Sequence, residues 1–192
     1  MALKRAKILS PEDYKKVNRF LEMFDKNPDR SKLILALSMK AGLRATEIAS
    51  LRWFSVIGAN GGISENIELF HDMTKYGTER TLTMHPDIRQ LLEKVKPKNI
   101  DLEDTVIKFS IGTKDPADAL VTWFRRLFKR VGLIGCSSHS GRRTFITGLA
   151  RVSGKFNASL REVQVAAGHA NIATTEGYIE VSDNLRGMIL AL

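Results

Sequence analysis

The segment that most constrains the fold is DPADALVTWFRRLFKRV, residues 115–131. Asp115-Pro116 is a helix start, an acidic cap followed by proline at the first helical position. Leu120, Trp123, Phe124, Leu127 and Phe128 then recur at the three- and four-residue spacing of one helix face. Arg125, Arg126, Lys129 and Arg130 fill the other positions. A helix of this kind must lie on a core of other elements and turn a basic surface outward.

The partners it needs can be read in the same way. Ser10-Pro11-Glu12-Asp13 starts a helix that runs to about Phe24, with Val17, Phe20, Leu21 and Phe24 on one face. A second helix is expected from Asp29 to Lys40, with Gly42 as its stop. Thr46 is expected to cap a short helix through Leu51, Pro86 to open one through Val95, and His139–Arg151 to be helical. Ser159-x-x-Glu162 is a capping box, and Thr174–Ser182 and Asp183–Leu190 read as short closing helices. Only the middle changes period. Ile67–Phe70 and Arg80–Met84 read as strands of a hairpin whose turn holds Gly77, and Val106–Phe109 reads as a further short strand. The expected fold class is mainly α with a small antiparallel β-sheet (α+β). Residues 1–9 are expected to be a basic tail and 10–192 one domain, a size that a single core can stabilise.

Charge narrows the possible functions. The net charge is +9, and no acidic residue stands between Asp118 and Glu162. Nine basic residues fall in that window, among them Arg125, Arg126, Lys129, Arg130, Arg142 and Arg143. A basic stretch uninterrupted by carboxylates suits a polyanion, whose phosphates release counterions on contact. Nucleic acid is the first expectation. No apolar run approaches the roughly 20 residues that span a bilayer, so no membrane partner is expected, and no signal peptide is visible. The one cysteine, Cys136, fits a reducing cytoplasm and reads as a small partly buried loop residue.

Reactive residue types stand in four short strings. AGLRATEI holds Arg44 and Glu47, TKYGTER holds Lys75, SSHSGRRTF holds His139 and Arg142, and AAGHANIATTEGY runs from His169 to Tyr178. Taken singly, each has a plain reading. Arg44 and Glu47 would be an exposed i, i+3 ion pair worth a few tenths of a kcal/mol. Lys75 would be a solvated hairpin lysine, the histidines satisfied polar residues, and Tyr178 a packing residue with one hydrogen bond. His139 and Arg142, three apart on a helix, emerge on one face and can converge on one ligand. The sequence shows no Cys/His spacing or carboxylate cluster of the kind that holds a metal.

Taken in order, the four strings resemble the tyrosine recombinase (phage integrase) family, and the resemblance runs from about residue 10 to residue 182. It implies that Arg44 and Arg142 clamp a scissile phosphate, each through a planar fork suited to two phosphate oxygens. It makes Glu47 a support for Arg44 and Lys75 the general acid for a leaving 5′-oxygen. His139 would accept the tyrosine's proton or hydrogen-bond a phosphate oxygen. His169 completes the cage, and Tyr178 would be the nucleophile. Of the other tyrosines, Tyr14 lies on the first helix and Tyr76 beside Lys75. A phenol titrates near 10, so exposing its anion at pH 7 costs about 4 kcal/mol, which clustered cations can offset.

The resemblance thus implies cleavage and rejoining of double-stranded DNA through a 3′-phosphotyrosyl link, with no metal and no cofactor, by a homo-tetramer on DNA. It places the protein in a prokaryotic or phage-encoded, nucleoid-associated setting. Arg125, Arg126, Lys129 and Arg130 would meet DNA, and Arg143 would meet the DNA backbone or an acidic partner. The usual N-terminal core-binding domain would be absent from this chain. The apolar closing segment, Leu185–Leu192, would dock in a neighbouring subunit or on its own core. A type IB topoisomerase or a non-catalytic DNA-binding regulator would share several of these features.

Overall fold

The computed structural model describes residues 6–74 and 77–178. Eight α-helices are seen among the described residues: α1 (Pro11–Phe24), α2 (Pro28–Lys40), α3 (Ala45–Ser50), α4 (Pro86–Val95), α5 (Pro116–Val131), α6 (Ser138–Ser153), α7 (Leu160–Ala167) and α8 (Ile172–Glu176). Two strands, β1 (Asn66–Leu69) and β2 (Arg80–Thr83), pair antiparallel, with Ile67 opposite Leu82 and Leu69 opposite Arg80. The mainly α fold with a small antiparallel sheet is as expected. Among the described residues no helix is long and apolar enough to cross a membrane.

The helix starts follow from capping chemistry. Ser10 accepts from the Asp13 N–H while Asp13 accepts from the Ser10 N–H, so two orphan donors of α1 are satisfied reciprocally. Asp115 accepts from the Asp118 N–H at the head of α5, and Ser137 from the His139 N–H at the head of α6. At the other end of α5, Gly132 turns left-handed and its N–H returns to the carbonyls of Phe128 and Lys129.

The helix α2 is the centre of the molecule. Leu33 to Leu37 are all fully buried, enclosed by α1, α3, α4 and α6. Such a helix is apolar on every side because it has neighbours on every side. Phe124 and Phe128 of α5 stack within the same core. A second, much smaller core holds Ile146, Val163 and Ala167, with Phe145, Leu149 and Tyr178 packed against it. The site lies where the two cores meet.

Four expectations change. Thr46 does not cap α3: Arg44 holds the capping position, its N–H donating to the Glu47 carboxylate, and Thr46 is exposed inside the first turn. Val106–Phe109 is not a strand. Thr105 makes one isolated bridge to Arg52, and the Lys108 carbonyl accepts from the Arg30 guanidinium instead of a strand partner. Residues 6–9 are no free tail. Leu9 is buried, its N–H donating to Thr144 Oγ1, and the Lys7 N–H donates to the Gly135 carbonyl. The helix begun near Thr174 starts at Ile172; the rest of that expectation and the Asp183–Leu190 helix lie outside the described residues.

Candidate active site

Glu47 is where the site begins. Far from forming an exposed pair, its carboxylate is fully buried and accepts four N–H groups. Oε1 takes Arg44 Nη1 at 2.7 Å and Arg80 Nη1 at 3.0 Å. Oε2 takes the Arg44 backbone N–H at 2.8 Å and Arg80 Nη2 at 2.9 Å. These use all of the roughly four lone-pair directions a carboxylate has. Burial alone would raise this carboxyl, but the hydrogen bonds and charge of Arg80, joined by Arg44, outweigh it and hold it below its ordinary value.

The Arg44 side chain remains about one-fifth exposed, and its Nη2 donates to the Gly168 carbonyl at 3.3 Å. Arg142, one turn into α6, is buried. Its Nη1 donates to the Gly42 carbonyl at 2.7 Å and its Nη2 to the Ala167 carbonyl. One guanidinium therefore ties together the turn that leads to Arg44 and the end of α7 that leads to His169. Burial, then the neighbouring charge of Arg44, lowers its pKa to about 10, which leaves it charged at pH 7. The helix can come this close to α2 because residue 141 is glycine: a Cβ there would lie 2.2 Å from Ser38 Oγ.

His169 follows a left-handed Gly168 and is buried, with its Nδ1 2.9 Å from Thr175 Oγ1. Burial, followed by the charges of Arg142, Arg44 and Arg80, lowers its pKa to about 4. It is neutral at pH 7. Gln164 holds the same turn by donating from Nε2 to the His169 carbonyl at 2.8 Å. The Tyr178 ring stacks on the His169 ring, 5.5 Å between centroids and 27° between planes. Its backbone is fixed by N–H donation to Thr175 and by Thr147 Oγ1 donating to its carbonyl. His139 is exposed at the head of α6, near the positive end of the helix dipole, with Nδ1 3.4 Å from Ser138 Oγ. Arg44, His139, Arg142, His169 and Tyr178 line a single cleft of about 540 Å³.

Lys75 lies outside the described residues. Thr74 beside it lines a groove with Thr46 and Ala117, and both of these also line the cleft. The basic residues of α5 divide. Ala117 and Val121 face the cleft, and Arg125 stands one turn further along the same stripe, exposed. Arg126, Lys129 and Arg130 line a different groove, against α1, where the Arg130 guanidinium sits 5.0 Å from the Phe20 ring centre. Arg143 is engaged elsewhere, donating to the Ala6 carbonyl at 2.8 Å.

Arg80 was not among the expected residues. A signal for it exists: in RTLTM, Arg80 alternates with Leu82 and Met84, which puts an arginine on the buried face of a strand. A buried arginine needs a carboxylate, and Glu47 is the only fully buried one among the described residues.

A mainly helical domain that gathers two arginines, two histidines and a tyrosine in one cleft has the makeup of a tyrosine recombinase catalytic domain. The chain belongs to the phage integrase family, whose model matches residues 7–184. Over 161 residues it is 27% identical to the tyrosine recombinase XerC of Rickettsia typhi, covering 80% of this chain and 48% of that protein. The chain spans about half the length of the curated relatives it matches. Among solved structures, the Tn1549 transposon integrase in complex with transposon right end DNA shares the fold, with a TM-score of 0.78 and 20% identity over 100% of this chain and 67% of that one. The crystal structure of XerA recombinase shares it at a TM-score of 0.71 and 19% identity, over 100% and 65%.

Proposed function

We propose that residues 10–192 are a recombinase catalytic domain that cleaves and rejoins duplex DNA through Tyr178. The observation that carries this reading is convergence. Arg44 from the head of α3, Arg142 from α6, His169 from the end of α7 and Tyr178 after α8 meet in one cleft. Arg44 and Arg142 line it, Arg80 is buried behind it, and among the described residues Glu47 is the one buried carboxylate near these three guanidiniums. That surplus of positive charge suits a phosphodiester and the further charge its oxygens gain in the transition state.

In the proposed step the Tyr178 oxygen bonds to phosphorus as the bond to the 5′-oxygen breaks. Arg44 and Arg142 neutralise the non-bridging oxygens. Neutral His169 serves as a hydrogen-bonding partner with its ring fixed by Thr175, and it carries no charge to neutralise. His139, exposed at the mouth, takes the tyrosine's proton or bonds a phosphate oxygen. Lys75 gives a proton to the departing 5′-oxygen. A 5′-hydroxyl from a partner strand reverses the step, so the phosphoester energy is conserved and the reading requires neither metal nor nucleotide cofactor. Double-stranded DNA is the partner, met along the cleft edge near Arg125, and joining between duplexes calls for a homo-tetramer on DNA.

The test is incubation with nicked duplexes that trap the cleaved strand. The wild-type chain should form a covalent DNA adduct, and Tyr178→Phe should form none. An adduct of undiminished yield on Tyr178→Phe, with the wild type reacting, would assign the nucleophile elsewhere.

A further inference from the structure

Arg80 is a buried cation at this site that the proposed chemistry does not use. Its side chain is 3% exposed, so it does not reach DNA. Its guanidinium lies between two parts of the site. On one side it forms a two-bond fork with Glu47, at 3.0 and 2.9 Å. On the other it lies against Gly168, where a Cβ would come within 2.7 Å of Arg80 Nη1. Gly168 is left-handed, with φ +61°, so glycine suits both the turn and the contact.

The electrostatic consequence concerns Arg44. A carboxylate one hydrogen bond from a catalytic guanidinium would cancel much of the charge that the guanidinium offers to a phosphate. It would also compete for its N–H groups, since arginine and carboxylate pair readily through two parallel bonds. Arg80 takes one direction on each Glu47 oxygen and supplies the balancing charge. The Arg44 guanidinium then bonds the carboxylate through Nη1 alone, beside the bond from its backbone N–H, and its Nη2 points to the Gly168 carbonyl at the cleft.

We propose that Arg80 is a positioning residue for the cleavage reaction: by saturating and neutralising Glu47, it keeps the charge and free N–H groups of Arg44 directed at the scissile phosphate. The inference rests on the phosphate-clamp reading of Arg44. It also ties the hairpin bearing Lys75 in sequence to the first arginine through β2.

The experiment is single-turnover adduct formation on the nicked duplex, with thermal melts confirming that each variant is folded at the assay temperature. Failure of the wild type to form an adduct would sink the parent reading; every comparison below is made with wild type reacting. Arg80→Met should slow adduct formation by about 30-fold or more, through loss of transition-state stabilisation. Arg80→Lys, which keeps the charge but not the fork, should lie between Arg80→Met and wild type. The decisive variant is Arg80→Met combined with Glu47→Gln. It keeps the packing change of Arg80→Met but removes the carboxylate that draws on Arg44, and should cleave at least about tenfold faster than Arg80→Met. A purely structural Arg80 predicts no such recovery between folded proteins. An Arg80→Met rate within about threefold of wild type, or a double variant no faster than Arg80→Met, overturns the proposal. Should Arg80→Met not fold, the double variant decides alone: cleavage within about tenfold of wild type supports the proposal, and a slower rate overturns it.

Discussion

The two cores that meet at the cleft are built very differently. The large one surrounds α2 and carries Arg44, Glu47 and Arg80 on elements packed from several directions. The small one has three buried residues, Ile146, Val163 and Ala167, and carries the turn with His169 and the ring of Tyr178. On the proposed mechanism, the Arg44 clamp therefore rests on the densely packed body and the nucleophile on a satellite. Regions with few buried apolar contacts open at lower free energy than the core that supports them. A clamp must be preorganised to bind developing charge, whereas a nucleophile must approach, react and withdraw. The division places rigidity where the chemistry needs it.

The largest expected effect comes from cutting a buried residue that joins both regions. Arg142 holds Gly42 on the large core's side and Ala167 on the satellite's. Arg142→Met removes the charge proposed to clamp phosphate and leaves two carbonyls without this donor. Adduct formation should fall by about 10³-fold or more. Stability should fall by about 2–4 kcal/mol, as two hydrogen bonds to a charged group are lost. A thermal melt and single-turnover cleavage measure the two effects. If cleavage fell no further than stability explains, Arg142 would be a brace and not a clamp.

The next effect is read by pH. His169 has a pKa of about 4 in the folded protein against an ordinary value of 6.5. Between these values the unfolded chain binds a proton that the folded one refuses, so stability rises with pH across this window. From pH 5 to 6.5 the gain should be at most about 2 kcal/mol. Glu47 acts separately. Its carboxyl is held below its usual value of 4.5, so its contribution is present above that value and is lost as pH falls further. His169→Gln should therefore flatten the rise between pH 5 and 6.5 in urea-melt midpoints. An unchanged slope would mean that the satellite's histidine is not held neutral by its surroundings.

The two regions were also unequally legible in the sequence. The residues that line the cleft stand in local strings whose types and spacing carry the signal: His139 and Arg142 three apart, His169 and Tyr178 nine apart. The amphipathic period of α5 needed no tertiary information. What escaped depended on partners distant in the chain. Arg80 looks like a polar strand residue until Glu47, 33 residues earlier, is brought against it. Arg44 and Glu47 look like a surface pair until Arg80 and the core cover the carboxylate. Val106–Phe109 is apolar enough for a strand, but a strand requires an edge to pair with, and Arg30 meets the Lys108 carbonyl instead. Arg143 lies next to Arg142 yet points at the Ala6 carbonyl, because neighbours on a helix diverge by about 100°.

The smallest effect tests the comparison most directly, by making the same deletion in each core. Ile34 and Ile146 are both fully buried, the first at the centre of α2 and the second at the centre of the satellite. Ile→Val removes one methylene in each case and should cost about 0.5–1.5 kcal/mol. The cost should appear in different places. Ile34→Val should speed hydrogen exchange of the slowest amides, those that open only in global unfolding, and lower the melting temperature. Ile146→Val should speed exchange in α7 and α8 while the slowest amides of α2 keep their rates, because opening the satellite does not require opening the body. It should also leave the charge cluster on the large core intact and lower adduct yield by about the fraction of molecules in which the satellite is open. If both variants speed the same slow amides equally, the molecule is one cooperative unit. The nucleophile would then be held as rigidly as the clamp, and its approach to phosphorus would have to come from motion of the DNA.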